Sequence, residues 1–182
     1  MQTHFEKDLG HLKEQLLTMA GHAEKAVRDA VKALVERDDA LARQVRSSDE
    51  VIDQFEIDVD EAAIQLLAKA PLASDLRLIT VALKASHDLE RVGDEATTIA
   101  RRAIELNSEP QLKEYVDIPR MAVMALDMLK EALDAFVQGA SGKARAVIPR
   151  DKEVDSLNKQ LHRELAAFMV ENPATIDRCL NL

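Results

Sequence analysis

The sequence predicts an all-α protein built as tandem antiparallel three-helix bundles, the second lacking most of its third helix. Three observations carry that prediction. The composition suits long helices: 47% hydrophobic, mostly Ala and Leu, with 31% charged residues, 3% aromatic, and only five Gly and five Pro in 182 residues. Apolar residues recur every three or four positions, which keeps them on one side of a helix. The chain also matches itself, without gaps, at a displacement of 102 residues.

The first stripe is Phe5, Leu9, Leu12, Leu16, Met19, Ala23, Ala26, Ala30 and Leu34, with Thr3 and Glu6 as a capping box, so one helix is expected from Thr3 to Glu36. Asp38 or Asp39 caps the next. Its stripe is Leu41, Val45, Ser48, Ile52, Phe55, Val59, Ala62 and Leu66, with a kink or break at Ser47-Ser48-Asp49 and an end at Pro71. A third helix opens on Leu72, Leu76, Ile79 and Leu83. It continues one residue around on Leu89, Val92, Ala96, Ile99, Ala103 and Leu106, closing near Asn107. A linker with Pro110 and Tyr115 leads to a fourth helix from Ile118 to Gln138. After a turn at Gly139 and Gly142, a fifth runs from Lys143 to Glu171, with Pro149 able to split off its start. Asn172-Pro173 breaks it, and a sixth begins near Ala174.

The repeat organises these elements. Asp49 and Asp53 fall on Asp151 and Asp155, Pro71 on Pro173, Asp75 on Asp177, and Val31 and Leu34 on Leu133 and Phe136. The unit is three amphipathic helices joined by short turns, which read as an antiparallel bundle. Residues 1–108 form the first bundle and residues 116–182 an incomplete second. The repeat would carry the last helix 26 residues past Leu182, with a second acid-Arg-x-Gly-Asp stretch near positions 192–196. The two-helix remnant is expected to expose an apolar groove that another chain or a rearrangement covers.

A net charge of −9 argues against non-specific binding to nucleic acid or to an anionic membrane surface. No run approaches the ~20 apolar residues of a membrane span. Met1 to Leu9 is polar and carries Glu6 and Asp8, unlike a signal peptide, and the single cysteine, Cys179, makes no internal disulfide, so a cytoplasmic setting is expected.

Two places carry candidate chemistry. Asp49 and Asp53 lie on the second helix, and Glu90-Arg91-Val92-Gly93-Asp94 on the third. Residues four apart share a helix face, and carboxylates so placed can hold or bridge hard or borderline cations. The opening seam of the third helix, extended past Leu83, meets Ser86, Glu90, Gly93 and Thr97, so an apolar strip turns small and polar. Gly93 removes a side chain where a ligand or a neighbouring helix could come close, at a helix-propensity cost of about 1 kcal/mol. Antiparallel packing would bring all four carboxylates together. Their repulsion, offset only in part by Arg91, is the kind a bound metal relieves.

A solvated face is the plainer alternative, since a like-charge pair four residues apart costs only ~0.2–0.5 kcal/mol. His87 precedes Glu90 by three residues, the reverse of the Glu-x-x-His of ferritin-like di-metal proteins, and no Glu-x-x-His occurs in the chain, which counts against a storage protein or oxidase. His4, His11, His22 and His162 are scattered. Met121, Met124 and Met128 read as helix core. No phosphate-cradling glycine loop, nucleophile–histidine set or zinc-type Cys/His spacing is present.

Pro71-x-x-x-Asp75-Leu-Arg77, followed by Asp88-Leu-Glu90-Arg91-Val92-Gly93-Asp94, resembles the signature of the PhoU family, and the resemblance extends over essentially the whole chain. It implies two three-helix bundles related by pseudo-twofold symmetry. It also implies multinuclear clusters of iron, zinc or other divalent ions held by paired acidic motifs. Carried over, one cluster would use Asp49, Asp53, Glu90 and Asp94, and a second Asp151 and Asp155, with its remaining ligands past Leu182. The implied role is non-catalytic. It is negative regulation of phosphate uptake, by coupling the phosphate ABC transporter to a sensor histidine kinase. The protein would be a homodimer that reaches the membrane only through its partners.

Overall fold

In the computed structural model the described residues are 4–69 and 72–182. They are helical, with no strand among them. The helices are α1 (His4–Glu36), α2 (Asp39–Ser47), α3 (Asp49–Leu67), α4 (Ala73–Asn107), α5 (Asp117–Val137), α6 (Ser141–Val147), α7 (Asp151–Glu171) and α8 (Ile176–Leu180). Short 3-10 turns occupy Ile148–Arg150 and Pro173–Thr175. The expected cap at Thr3 and stop at Pro71 lie outside the described residues. Elsewhere the predicted helices fall within a few residues of place. Gly142 is the exception, because α6 begins at Ser141 and takes it into a helix.

The chain divides into two compact units that interleave along the sequence. One comprises the described residues of Met1–Val27 with Gln44–Thr98, the other Arg28–Arg43 with Ile99–Leu182.

In the first unit, α3 runs antiparallel to both α1 and α4. Lys69 Nζ meets Asp8 Oδ2 at 2.5 Å, and the His22 and Phe55 rings lie 5.4 Å apart, so α1 ascends as α3 descends. Gly93 lies against Asp49 and Ile52, and His87 against Glu56, which sets the same relation between α3 and α4. The predicted stripes point inward: Leu12, Leu16, Met19, Ala23, Ile52, Val59, Leu66, Ile79, Leu89 and Ala96 are all buried. Burying each larger aliphatic side chain contributes about 1.5–3 kcal/mol. The break between α2 and α3 falls at Ser48, whose hydroxyl donates to the Val45 carbonyl at 2.8 Å and competes with the helical backbone.

In the second unit, α5 and α7 are antiparallel: Arg150 pairs with Glu131 at one end, and Ile118 packs near Leu161 and Leu165 at the other. Cys179 of α8 joins that cluster, its thiol 3.8 Å from the Thr175 hydroxyl. The segment before α5 is fastened rather than loose. Tyr115 is buried with Leu34, Ala103 and Leu106, Lys113 pairs with Glu164, and Arg178 donates to the Pro110 carbonyl. A groove of about 540 Å³ lies between the end of α1 and α5, walled by Val31, Val35, Ala122, Val123 and Leu126.

The 102-residue repeat holds in the backbone as well as in the sequence. Helices α6 and α7 start at Ser141 and Asp151, 102 residues after Asp39 and Asp49. Both α1 and α5 end in the same left-handed cap. Asp38 N–H donates to the Ala33 carbonyl across Arg37 (φ 57°), and Ala140 N–H to the Ala135 carbonyl across Gly139 (φ 63°). Glycine takes that conformation without strain and arginine does not. The guanidinium supplies the compensation, donating to the Asn107 and Glu109 carbonyls at 2.7 and 2.6 Å and so capping the end of α4.

Candidate metal centre

The site is built where α3 begins and the middle of α4 passes it. Asp49 follows the Ser48 break, in the first turn of α3, with Asp53 one turn on. Ile52, between them, points into the core and fixes which way they face. On α4, Leu89 and Ala96 are buried and Ser86 is fully buried, its hydroxyl donating to the Leu83 carbonyl at 2.9 Å. Those anchors leave Glu90 half-buried and Asp94 exposed on the side toward α3.

Gly93 sets the closeness of the two helices. A Cβ built there would stand 2.8 Å from Ile52 Cδ1 and 3.4 Å from Asp49 Oδ1, so any side chain would force the helices or Ile52 to shift. The expectation of a close approach at this glycine is met. So is the small, polar character of the seam, where Ser86 and Gly93 are buried and Glu90 and Thr97 half-buried.

The carboxylates share one electrostatic neighbourhood. Asp49 is raised above the ordinary carboxylate pKa, first by burial and then by the charges of Asp53 and Asp94. Glu90 is raised by desolvation, then by Asp94 and Glu56, with His87 opposing and Asp53 adding a smaller push. Among the described residues, none of the four acids is paired with a basic side chain. As the side chains lie, no three His, Cys, Asp or Glu groups among the described residues converge closely enough to hold an ion without moving.

Asp151 and Asp155 are placed differently. Both are exposed on α7, and Asp155 lies 3.9 Å from Lys159 Nζ. Arg150, just before them, is bound to Glu131 at 2.6 Å.

Two residues at the α3–α4 seam were not among the predicted ligands. Glu56 Oε1 lies 3.2 Å from His87 Nδ1, one turn beyond the carboxylates on each helix. Their signal was in the spacing: Asp49, Asp53 and Glu56 step by four then three, while His87, Glu90 and Asp94 step by three then four. Antiparallel partners have that mirrored order.

An all-α bundle in which an acidic pair on one helix faces an acid-Arg-x-Gly-Asp stretch on another defines a class of duplicated helical proteins. A family model described as the PhoU domain matches residues 16–103 and 118–182. The chain is 44% identical over 98% of its length, and 70% of the relative's, to a Pseudomonas putida protein named phosphate-specific transport system accessory protein PhoU homolog. A homolog of the same name from Aquifex aeolicus is 40% identical over 97% of this chain and 80% of its own. The crystal structure of PhoU from Pseudomonas aeruginosa superposes with a TM-score of 0.93 at 43% identity, covering 98% of this chain and 86% of that one. The phosphate transport system regulatory protein PhoU from Streptococcus pneumoniae gives 0.86 at 26% identity, covering 93% and 80%. The chain belongs to the PhoU family.

Proposed function

We propose that the protein is a non-catalytic, cation-binding adaptor of phosphate transport. It restrains phosphate uptake and phosphate-starvation signalling by coupling the phosphate ABC transporter to a sensor histidine kinase. The observation that carries the phosphate role is the 44% identity, over nearly the whole chain, to a protein named for the phosphate-specific transport system. Its place is the cytoplasm, with membrane contact through partners only. Among the described residues no helix is long and apolar enough to cross a membrane, which agrees with that reading. The active form is a homodimer, and the repeat units are residues 1–108 and 116–182.

The chemistry of the donor set suits a cation. Four carboxylates, none paired with a basic side chain among the described residues, line a seam where Gly93 permits close approach, and burial raises Asp49 and Glu90; they would draw together around an ion. Asp49, Asp53, Glu90 and Asp94 would hold iron, zinc or another divalent ion, with Asp151 and Asp155 contributing to a second, more open site. What a bound ion supplies is positive charge that offsets the repulsion and ties α3 to α4. The chain's own residues then present a face whose charge depends on metal loading. Coupling to the kinase requires that this face bind two kinase states with different affinity, because a ligand shifts an equilibrium only through such a difference.

The test is co-purification. The protein should be retained by the transporter's ATPase subunit and by the kinase, and retention by neither would overturn the partner assignment.

A further inference from the structure

The groove beside the end of α1 is formed by two helix faces within the second unit. Val31 and Val35 wall it from α1, and Ala122, Val123 and Leu126 from α5, spacings that keep each set on one side of its helix. Ile118 packs against the cluster that holds Leu34, while Arg28, further back on α1, still borders α5, so the two helices run side by side in opposite directions. Arg28 and Asp127 therefore stand toward the same end of the groove. Its floor is covered and its rim is open: Val31 is 7% exposed, Val35 41% and Val123 59%. The charges select what closes it. Arg28 and Lys32 lie on the α1 side and Asp127 on the α5 side, all exposed. Lys32 is taken by Glu36 at 3.8 Å, but among the described residues neither Arg28 nor Asp127 has an ion pair. A helix carrying one sign of charge would meet a like-charged wall on one side or the other. A second copy would not. Rotation about a two-fold axis parallel to the helices lays its α5 over α1 and its α1 over α5, so each Arg28 faces the partner's Asp127. A two-fold interface requires a self-complementary patch of this kind.

We infer that a second copy of the chain is seated on this groove, the α1–α5 face of each protomer closing that of its partner into a layer of four helices. The inference rests on the reading that the active form is a homodimer, and it names the face by which the copies meet. Val35 and Val123 are the apolar anchors, and Arg28 with the partner's Asp127 sets the register. The patch is short, which places it among the smaller interfaces, so the dimer should come apart on dilution.

Analytical ultracentrifugation of the full chain across a dilution series provides the test. The wild type should pass from dimer to monomer as it is diluted. Val123→Glu, which buries a carboxylate between the copies, should weaken the dimer about tenfold or more. Arg28→Asp and Asp127→Arg should each weaken it alone, because each sets like charges face to face. All three positions are exposed in the protomer, so the fold should persist in each variant by circular dichroism. Mixed in equal amounts, Arg28→Asp and Asp127→Arg should form a heterodimer comparable in strength to the wild type, since both contacts are again opposite in sign. A mixture that stays monomeric overturns the inference. A dimer indifferent to all three substitutions overturns it too, leaving the homodimer reading standing and the groove to a helix of another protein. A wild type that is monomeric at every concentration removes the homodimer reading, and the inference with it.

Discussion

The two copies of the acidic pair share spacing, helix position and distance from the preceding break, yet their surroundings differ. Asp49 and Asp53 face Glu90 and Asp94 across a seam narrowed by Gly93, and among the described residues no basic side chain pairs with them. Asp151 and Asp155 start α7 just as Asp49 and Asp53 start α3, but they are exposed, with Lys159 beside one and Arg150 engaged on Glu131 just before them. Two acids on a helix face do not by themselves crowd one another. The opposing helix makes the difference at the first pair, by adding like charges and partly burying Asp49 and Glu90. The same contrast runs through the helix ends. Arg37 and Gly139 hold the same left-handed cap, the glycine at no cost and the arginine through bonds to the end of α4.

The largest effect is expected at Gly93. Gly93→Val puts a branched side chain where Ile52 Cδ1 stands 2.8 Å away, and overpacking of this kind costs about 1–3 kcal/mol. Gly10→Ala in α1 meets nothing within 4 Å and should stabilise by up to about 1 kcal/mol. Urea unfolding would measure both, and equal effects would mean that the seam is not tight.

Next comes the pair of caps. Arg37→Ala keeps the left-handed backbone strain and loses two charged hydrogen bonds, so a loss of about 2 kcal/mol is expected. Arg37→Gly should recover about 1 kcal/mol of that by removing the strain. Gly139→Ala, which has no clamp to lose, should cost about 1 kcal/mol. An Arg37→Gly variant no more stable than Arg37→Ala would show that the conformation is not strained.

The smallest effect is in pH. Asp49 and Glu90 are raised in the folded protein, so the metal-free folded state binds protons more tightly than the unfolded chain. Their contribution favours folding below the ordinary carboxylate range and is lost as pH rises through the raised values. Metal-free Asp49→Asn/Glu90→Gln should accordingly gain stability over the wild type at pH 7, with the gap closing as pH falls into the carboxylate range. A gap that does not change with pH would contradict the crowding of charges. The counterpart Asp151→Asn/Asp155→Asn should show no such gain.

Much of this was legible because it is local. The stripes of α1 and α4, the break at Ser48 and the significance of Gly93 within Glu90–Asp94 are all periodicity or propensity, and each appears in place. Long-range partners were not legible. Arg37 reads as an ordinary surface residue until the end of α4 arrives, 70 residues later in the chain, to accept its hydrogen bonds. His87 reads as half of an inverted ferritin motif until Glu56 is seen opposite. Tyr115 sits in what reads as a linker, yet Leu34, Ala103 and Leu106 bury it. The Asp151–Asp155 pair shows the same limit, because the repeat carries over the spacing of the motif and not the side chains beside it, Lys159 among them.

Elemental analysis of full-length protein prepared without chelator tests the central claim most directly. The wild type and Asp151→Asn/Asp155→Asn should retain metal in the first-unit pocket, and Asp49→Asn/Glu90→Gln should lose it. Equal metal content in wild type and Asp49→Asn/Glu90→Gln, with the latter folded by circular dichroism, would contradict the assignment of the cation to the seam between α3 and α4.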